Sequence, residues 1–585
     1  MSPTTIPGNL ILQSQSSNDP LLDYNTQPSL DLQFATSKTL DDRVSGLPLV
    51  DHQRDASGSN SPGTYVGSDG LIKTTPVNLL TRSEEFDQWT VAASSVITPN
   101  SIAAPDGSLT ADQVYFDTVG DTNVNQNVTL TQNQAYTFSV YAKAVTPGSD
   151  NQFIPYINSA TARYPDTPFV ATSEWQRFTF TFTHTDTTAS PGFFILNLDD
   201  AYRTNIYFWG AQLEEGSTAS PYIKTTNLPS AAPRFDHDPT TGESLGLLIE
   251  EESTNLIKYS EPDSNSGGSG NGAWSFGDVD KNTDISKVVG PDGVSNSASR
   301  MQLATGSSLD LYVRISNLTP GEKCTFSGWV KLGTATNFAL HVNNVLGWNT
   351  VADGVYSFDA SDGLNTTTFV KISHTFTVPS TSEVNVHLGR HLGNNPAQQT
   401  VGTVDVWGLQ VERKSFATST IPTSGSTVNR AADNANITGS NFSRWYNQSE
   451  GTYYAQASKL GINPSLQQTI LTSEIFNTRY PEFSFRPASE SPAGAARVYG
   501  TNLSVTSTVA LDSAKFAAAY EDGVGATSVI NGIYQGSNTV DPIGSTRSSI
   551  VMGNYANSFR LNGHLSRLTY YPYRLPDATL QEITS

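Results

Sequence analysis

The sequence predicts an all-β protein, a series of tandem antiparallel β-sandwich (jelly-roll) modules behind an extended N-terminal arm. Three observations lead there. Charged residues are only 15% of the 585, below the usual ~25%, and there are three Met, so helix formers are scarce. Aromatic residues reach 10% and sit among many Thr, Val and Asn, which suits pleated, half-buried surfaces. Finally, one block of strand-like segments occurs twice in the same order.

Residues 1–77 form the predicted arm, rich in Ser, Asn, Asp and Pro. It holds short strand-like pieces such as Leu30-Asp-Leu-Gln-Phe34 and too few apolar residues for a core of its own. An ordered arm must therefore pair its backbone groups elsewhere. Leu30, Leu32 and Phe34, alternating on one face, are the expected assembly contacts with other chains.

The first repeat is assigned to 78–228 and the second to 255–430. Asn78-Leu-Leu-Thr-Arg-Ser-Glu84 returns as Asn255-Leu-Ile-Lys-Tyr-Ser-Glu261, and Ala104-Pro-Asp-Gly107 as Gly290-Pro-Asp-Gly293. Tyr136-Thr-Phe-Ser-Val-Tyr-Ala-Lys143 returns as Cys324-Thr-Phe-Ser-Gly-Trp-Val-Lys331. Ile206-Tyr-Phe-Trp-Gly-Ala-Gln-Leu-Glu214 returns as Val404-Asp-Val-Trp-Gly-Leu-Gln-Val-Glu412. Phe178, Phe180 and Phe182 alternate with Thr179, Thr181 and Thr183, the pattern of a strand buried on one side. Residues 229–254 read as a linker. A third sandwich is expected over 431–585, closing with the helical stub Pro576-Asp-Ala-Thr-Leu-Gln-Glu582.

With 33 Lys and Arg against 54 Asp and Glu, the net charge of −21 argues against a nucleic-acid partner, because there is no basic excess to displace counterions. Cys324 stands alone, which excludes an internal disulfide and Cys-rich zinc sites. No apolar run approaches the ~20 residues that span a bilayer, and the N-terminus shows no secretory pattern. Assembly in a reducing cytoplasm without membrane insertion is expected.

Asn-Leu-Leu-Thr-x-Ser-Glu, followed by Ala-Pro-Asp-Gly and Trp-Gly-x-Gln-Leu-Glu, resembles the carbohydrate-binding-like sandwich modules of bacteriophage virion proteins, cyanophage or other marine phage among them. Pro233-Arg-Phe-Asp-His-Asp-Pro-Thr-Thr-Gly-Glu-Ser-Leu-Gly-Leu-Leu-Ile-Glu250 looks like the linker of such proteins. Asn562-Gly-His-Leu-Ser-Arg-Leu-Thr-Tyr-Tyr-Pro572 resembles part of a concanavalin-A/laminin-G-like sandwich. The resemblance covers about residues 60–585 and implies a virion appendage, a tail fibre or spike, with threefold packing as a homotrimer and attachment to other virion proteins.

No catalytic constellation emerges. Asp278-Val-Asp280 has the spacing of paired carboxylates but lies in a Gly/Asn-rich loop, and Glu250-Glu-Glu252 reads as a solvated strand end. His387 and His391 stand four apart in a strand-like segment, where they do not converge. No cofactor is called for, although oxygen-rich loops are compatible with a structural calcium. Sugar binding needs an aromatic plate beside amide or imidazole groups. Trp348, with His341, Asn343 and Asn344 just before it, offers that mix, and Tyr156, Tyr164 and Tyr202 lie in loop-like stretches of the first repeat. Trp209 and Trp407 recur within strands and are expected to be buried. The reading is a non-catalytic adhesin for host surface glycans. The alternatives are an architectural subunit without ligand (head fibre, capsid decoration or tail adaptor) and a surface-polysaccharide depolymerase.

Overall fold

The computed structural model describes residues 27–116, 122–148, 150–158, 165, 167–185, 187, 191–196, 204–263, 265–268, 270–276, 284–303, 311–346, 349–389, 399–472, 481–500, 503–538, 546–555 and 559–585. Its regular structure is nearly all antiparallel strand, in three sandwiches.

The two repeats share one topology. In the first, the inner sheet runs Gln176–His184, Gln134–Ala144, Thr204–Glu215, Ala111–Phe116, Ser95–Ile102. The outer sheet runs Phe169–Val170, Gln152–Asn158, Gly192–Leu196, Asn123–Asn127, Thr90–Val91. The second repeat has the same order, with Val370–Thr377, Lys323–Leu332, Gly402–Glu412, Ala298–Leu303, Ile285–Val288 inside and Thr350–Phe358, Phe338–Asn344, Val384–Leu388, Leu311–Ile315, Trp274–Phe276 outside. The alternating Phe strand pairs as its pattern predicts, Phe138 opposite Phe180 and Tyr136 opposite Phe182.

The repeated motif is a clasp. Asn78 donates from Nδ2 to the carbonyls of Ala211 and Ile223 and accepts at Oδ1 from the amides of Leu80 and Leu213. Asn255 does the same with Leu409, Ile421, Ile257 and Val411. Gln212 and Gln410 accept from the amides of Ile223 and Ile421, and each donates to the Glu two residues on. These buried amides saturate backbone groups that close each sandwich, so the motif's polar residues are structural. Trp209 and Trp407 are buried as expected, though on the far side of the inner sheet from the main core. Trp407 lies with Val66 and Ile72 of the hairpin Thr64–Val66/Ile72–Thr74. The glycine after each Trp sits in the left-handed region, and a Cβ on Gly408 would lie 2.5 Å from Thr420 Cγ2.

The third sandwich corrects two expectations. Its larger sheet runs Arg234–His237, Ser244–Ile249, Gly563–Tyr571, Glu450–Lys459, Ser513–Glu521, Gly525–Ile530, Ile533–Asn538, with Leu30–Leu32 also paired to Gly563–Tyr571. Its other sheet runs from Asp51–Gln53 through Asn434–Thr438, Ser549–Met552, Gln468–Thr472, Glu482–Phe485 and Ala495–Gly500 to Leu503–Ala510. The expected linker thus supplies two strands of this sandwich, and the expected arm supplies two more. Leu30, Leu32 and Phe34 are fully buried in its core, with Leu30 opposite Tyr570 and Leu32 opposite Leu568, so none is available to another chain. The strand also stops early: Phe34 opens a single helical turn, Phe34–Ser37. Between the two leucines the buried Asp31 accepts from Arg43, Arg567 and Thr569, which allows a carboxylate inside the sheet. The helix Asp577–Thr584 lays Leu580 and Ile583 on Tyr454, Ala517 and Tyr571.

The repeats are therefore insertions into a host sandwich. The first leaves after Gln53 and returns at Arg234; the second leaves after Ile249 and returns by Asn434. At these four crossings sits a fully buried charge cluster. Arg234 pairs with Glu250 (2.7 Å) and Asp433 (2.6 Å), Arg54 also pairs with Asp433, and Arg430 reaches Glu250 at 3.4 Å. His52 lies 3.4 Å from Asp433. Glu250, read from sequence as solvated, is wholly inside, and the stem closes by reciprocal amides: Glu250 N donates to Asp433 Oδ2 and Asp433 N to Glu250 O. Burial pushes both carboxyls up, but the facing cations outweigh it. Arg430 and Arg234, with hydrogen bonds from Ser419, hold Glu250 at about 2, and Arg234 and Arg54 hold Asp433 well below the ordinary range.

Candidate functional site

In each repeat the outer sheet turns one face to the core and one away from it. In the first repeat Val124, Phe153, Ile157, Phe193 and Ile195 point inward. The opposite parity then places Tyr156, Asn158, Asn123, Asn125 and Asn127 on the outer face. Register fixes their rows. Tyr156, Phe194, Asn125 and Thr90 stand across four strands, and Asn158, Gly192 and Asn127 across three in the next row. With strands ~4.8 Å apart, the glycine leaves a notch about 10 Å wide between two asparagines. Asn127 and Asn158 are exposed and Tyr156 and Asn125 half-buried. Asn125 donates to Asn123 Oδ1 (2.8 Å).

The second repeat fills the same positions differently. Trp89 and Trp274 anchor the alignment, because Thr90 faces Asn125 as Ser275 faces Tyr312. Following the register, His341, His387 and Tyr312 stand where Tyr156, Phe194 and Asn125 stand in the first repeat. Asn343, Asn385 and Arg314 replace Asn158, Gly192 and Asn127. The rings of Tyr312 and His387 lie 5.0 Å apart and those of His341 and His387 5.7 Å apart. Asn385 donates to Asn343 Oδ1 (3.2 Å) and His341 Nε2 meets Thr350 Oγ1 (2.9 Å). His341, His387, Asn343 and Asn385 are buried, so this part of the face is closed, with Tyr312 half-buried and Arg314 exposed at its edge, whereas Tyr156 and Asn125 keep part of their surface in the first repeat.

Of the residues singled out from sequence, Tyr156 and His341 prove equivalent in the two repeats, as do Asn158 and Asn343. Asn344 is half-buried and holds a turn, accepting from Leu346 N and Thr381 Oγ1. Trp348, Tyr164, Tyr202, His391 and the Asp278/Asp280 pair lie outside the described residues. Sequence reasoning missed Asn125 and Asn127, although Asn123-Val-Asn-Gln-Asn127 alternates with period two and so displays its asparagines on one face.

Two groups capable of covalent chemistry serve structural contacts. Cys324 is fully buried, and burial, with Glu322 nearby, pushes its thiol up to about 12. Ser458, His564 and Asp236 come together from three strands, but in reversed order: Ser458 Oγ is 3.4 Å from Nδ1 and Asp236 Oδ2 is 2.9 Å from Nε2. Asp236 also accepts from Val66 N, so the trio bolts the first insertion to the host sheet. Among the described residues no group of three or more His, Cys, Asp and Glu could hold a metal, and no helix is long and apolar enough to cross a membrane.

No protein family and no curated protein matches the chain. Among solved structures, the tandem CBM22-1–CBM22-2 domain of Paenibacillus barcinonensis Xyn10C is 13% identical, with 58% of this chain and 98% of that chain covered at a TM-score of 0.20. A putative sugar binding protein from Bacteroides thetaiotaomicron is 14% identical, with 27% and 100% covered, TM-score 0.20. The CBM40 of a Ruminococcus gnavus sialidase, bound to α2,3-sialyllactose, is 14% identical, with 24% and 84% covered, TM-score 0.18.

Proposed function

We propose that this chain is a bacteriophage virion appendage protein, of the tail-fibre or spike type, that recognises surface glycans of the host without cleaving them. The observation that carries the glycan reading is the outer face of the first repeat, where an aromatic ring and a period-two array of asparagines stand side by side on one sheet. A tyrosine face covers the apolar side of a sugar ring, and side-chain amides both donate to and accept from hydroxyls. The virion assignment rests on the resemblance of the repeated motifs, and with it go a homotrimer and contacts to other virion proteins through surfaces other than Leu30, Leu32 and Phe34. Many copies on one particle raise avidity without a tight single site. A glycan array probed with the full chain tests the reading: bacterial surface polysaccharides bind, and Tyr156→Ala loses them. Release of reducing ends during incubation would instead make the chain a depolymerase, and a silent array would favour an architectural subunit, a role that the buried cluster joining the three sandwiches also suits.

A further inference from the structure

The two outer faces, equivalent by register, differ in charge as well as in access. None of the five outer strands of the first repeat, Thr90–Val91, Asn123–Asn127, Gln152–Asn158, Phe169–Val170 and Gly192–Leu196, contains an Asp, Glu, Lys, Arg or His. The five outer strands of the second contain Arg314, His341, Asp353 and His387. Arg314 is moreover paired with Glu383 at its rim, and the amides of Asn343 and Asn385 are paired with each other. In the first repeat the side chains of Asn127 and Asn158 make no hydrogen bond among the described residues, and both are exposed around the Gly192 notch.

We infer that the repeats have divided their work: the first takes an uncharged glycan on its outer face, and the second uses the equivalent row internally, leaving one sugar face per chain instead of two. This rests on the glycan reading above and narrows it to a ligand class. An uncharged sheet in a chain of net charge −21 gives a carboxylated or sulfated sugar no counter-charge, while the surrounding field repels it. Free amides lose little on exchanging water for sugar hydroxyls, because each hydroxyl returns a donor and an acceptor. Tyr156 supplies the ring contact, and Asn127 and Asn158 grip from either side of the notch. In the second repeat a ligand would first have to break the Asn343–Asn385 and His341–Thr350 bonds.

The test is binding of the full chain to an immobilised panel that pairs neutral hexose oligosaccharides with uronic-acid oligosaccharides of equal length, at low and high salt. Neutral members bind with less than about twofold dependence on salt, since no ion pair is there to be screened. The double variant Asn127→Ala/Asn158→Ala, at exposed positions, loses about tenfold or more in affinity while Arg314→Gln binds as the parent does. Preference for the uronic-acid members, or loss of binding in Arg314→Gln with retention in the asparagine double variant, overturns the division of labour and leaves the glycan reading standing. Absence of binding to every member by the parent chain, confirmed as folded by its near-ultraviolet circular dichroism, overturns the glycan reading itself.

Discussion

Replacing Asp433 by Asn changes almost nothing in shape and removes one charge from the point where both insertions leave the host sandwich. The cluster holds three arginines, Arg54, Arg234 and Arg430, against two carboxylates, Asp433 and Glu250, and all five are fully buried. His52 joins as a neutral ring, because burial above all lowers its pKa. Asp433→Asn leaves three guanidiniums facing one carboxylate, and the amide's donor side turns towards Arg54 or Arg234. Removing one partner of a buried pair costs about 3–5 kcal/mol. That is a large part of the ~5–15 kcal/mol that holds a domain together. Equilibrium unfolding in urea, followed by tryptophan fluorescence, should move its midpoint down by about 1–5 M if m lies near 1–3 kcal/mol per M. The same network makes stability acid-sensitive. Asp433 and Glu250 have folded pKa values below their unfolded ones, so their contribution is complete above about pH 4.5 and drains away as pH falls towards 2. Asp433→Asn should flatten that acid limb. A midpoint within 0.3 M of the parent's, with an unchanged acid limb, would show that the cluster relaxes freely and pins nothing.

Phe34→Ala empties a fully buried position in the host core and should cost about 3–5 kcal/mol by thermal unfolding, whereas a side chain reserved for contact with another chain would cost almost nothing in the isolated protein. Glu261, equivalent to Glu84 in the first repeat, is pushed up to about 7 by burial, against the Gly408 amide that donates to it. Its folded pKa exceeds its unfolded one, so the contribution of this group is complete below about pH 4.5 and is lost as pH rises through 7. Glu261→Gln should therefore remove a fall in melting temperature between pH 5 and pH 8, and an identical fall in the variant would refute the assignment.

The sandwiches were legible because alternation and the repeat are local signals. Phe178, Phe180 and Phe182 declare their face without reference to anything distant, and the two copies check each other. What was not legible is which chain segments share a sheet. Leu30-Asp-Leu32 is too short to reveal its partner, and Asp31 between two leucines argues against a buried strand until Arg567 and Thr569, far along the chain, appear beside it. Glu250 gave the opposite false signal, since a run of three glutamates reads as solvent-facing and only Arg234 and Arg430 make the first of them a core residue. The binding face was half legible for the same reason. Tyr156 and His341 stood out as residue types, but only register shows them to be one position, open in one repeat and closed in the other.

Insertion, in place of a string of modules, has a consequence that can be built. At the base of the first insertion Val77–Asn78 pairs with Ser230–Ala231, so the two ends of the repeat already lie side by side. The hairpin Thr64–Val66/Ile72–Thr74, which packs on Trp407, and Arg54, whose guanidinium donates to Pro62 O, Thr75 Oγ1 and Ala232 O, all lie on the host side of that base. Replacing residues 79–228 by a two-glycine turn therefore severs no contact of the charge cluster, and closing a shorter loop lowers the entropic cost of joining the ends. The shortened chain should fold, retain the urea transition of the host and second repeat, and still respond to Asp433→Asn by the same shift in midpoint. It should also lose all binding to neutral oligosaccharides, because the remaining outer face is the closed one. Removing residues 1–54 should do the reverse damage, taking two strands and Leu30, Leu32, Phe34, Leu49 and Val50 from the host core. At about 1.5–3 kcal/mol for each buried side chain, that loss rivals the whole stability of a domain. If the N-terminal deletion left the host transition intact, the chain would be a string of independent modules after all.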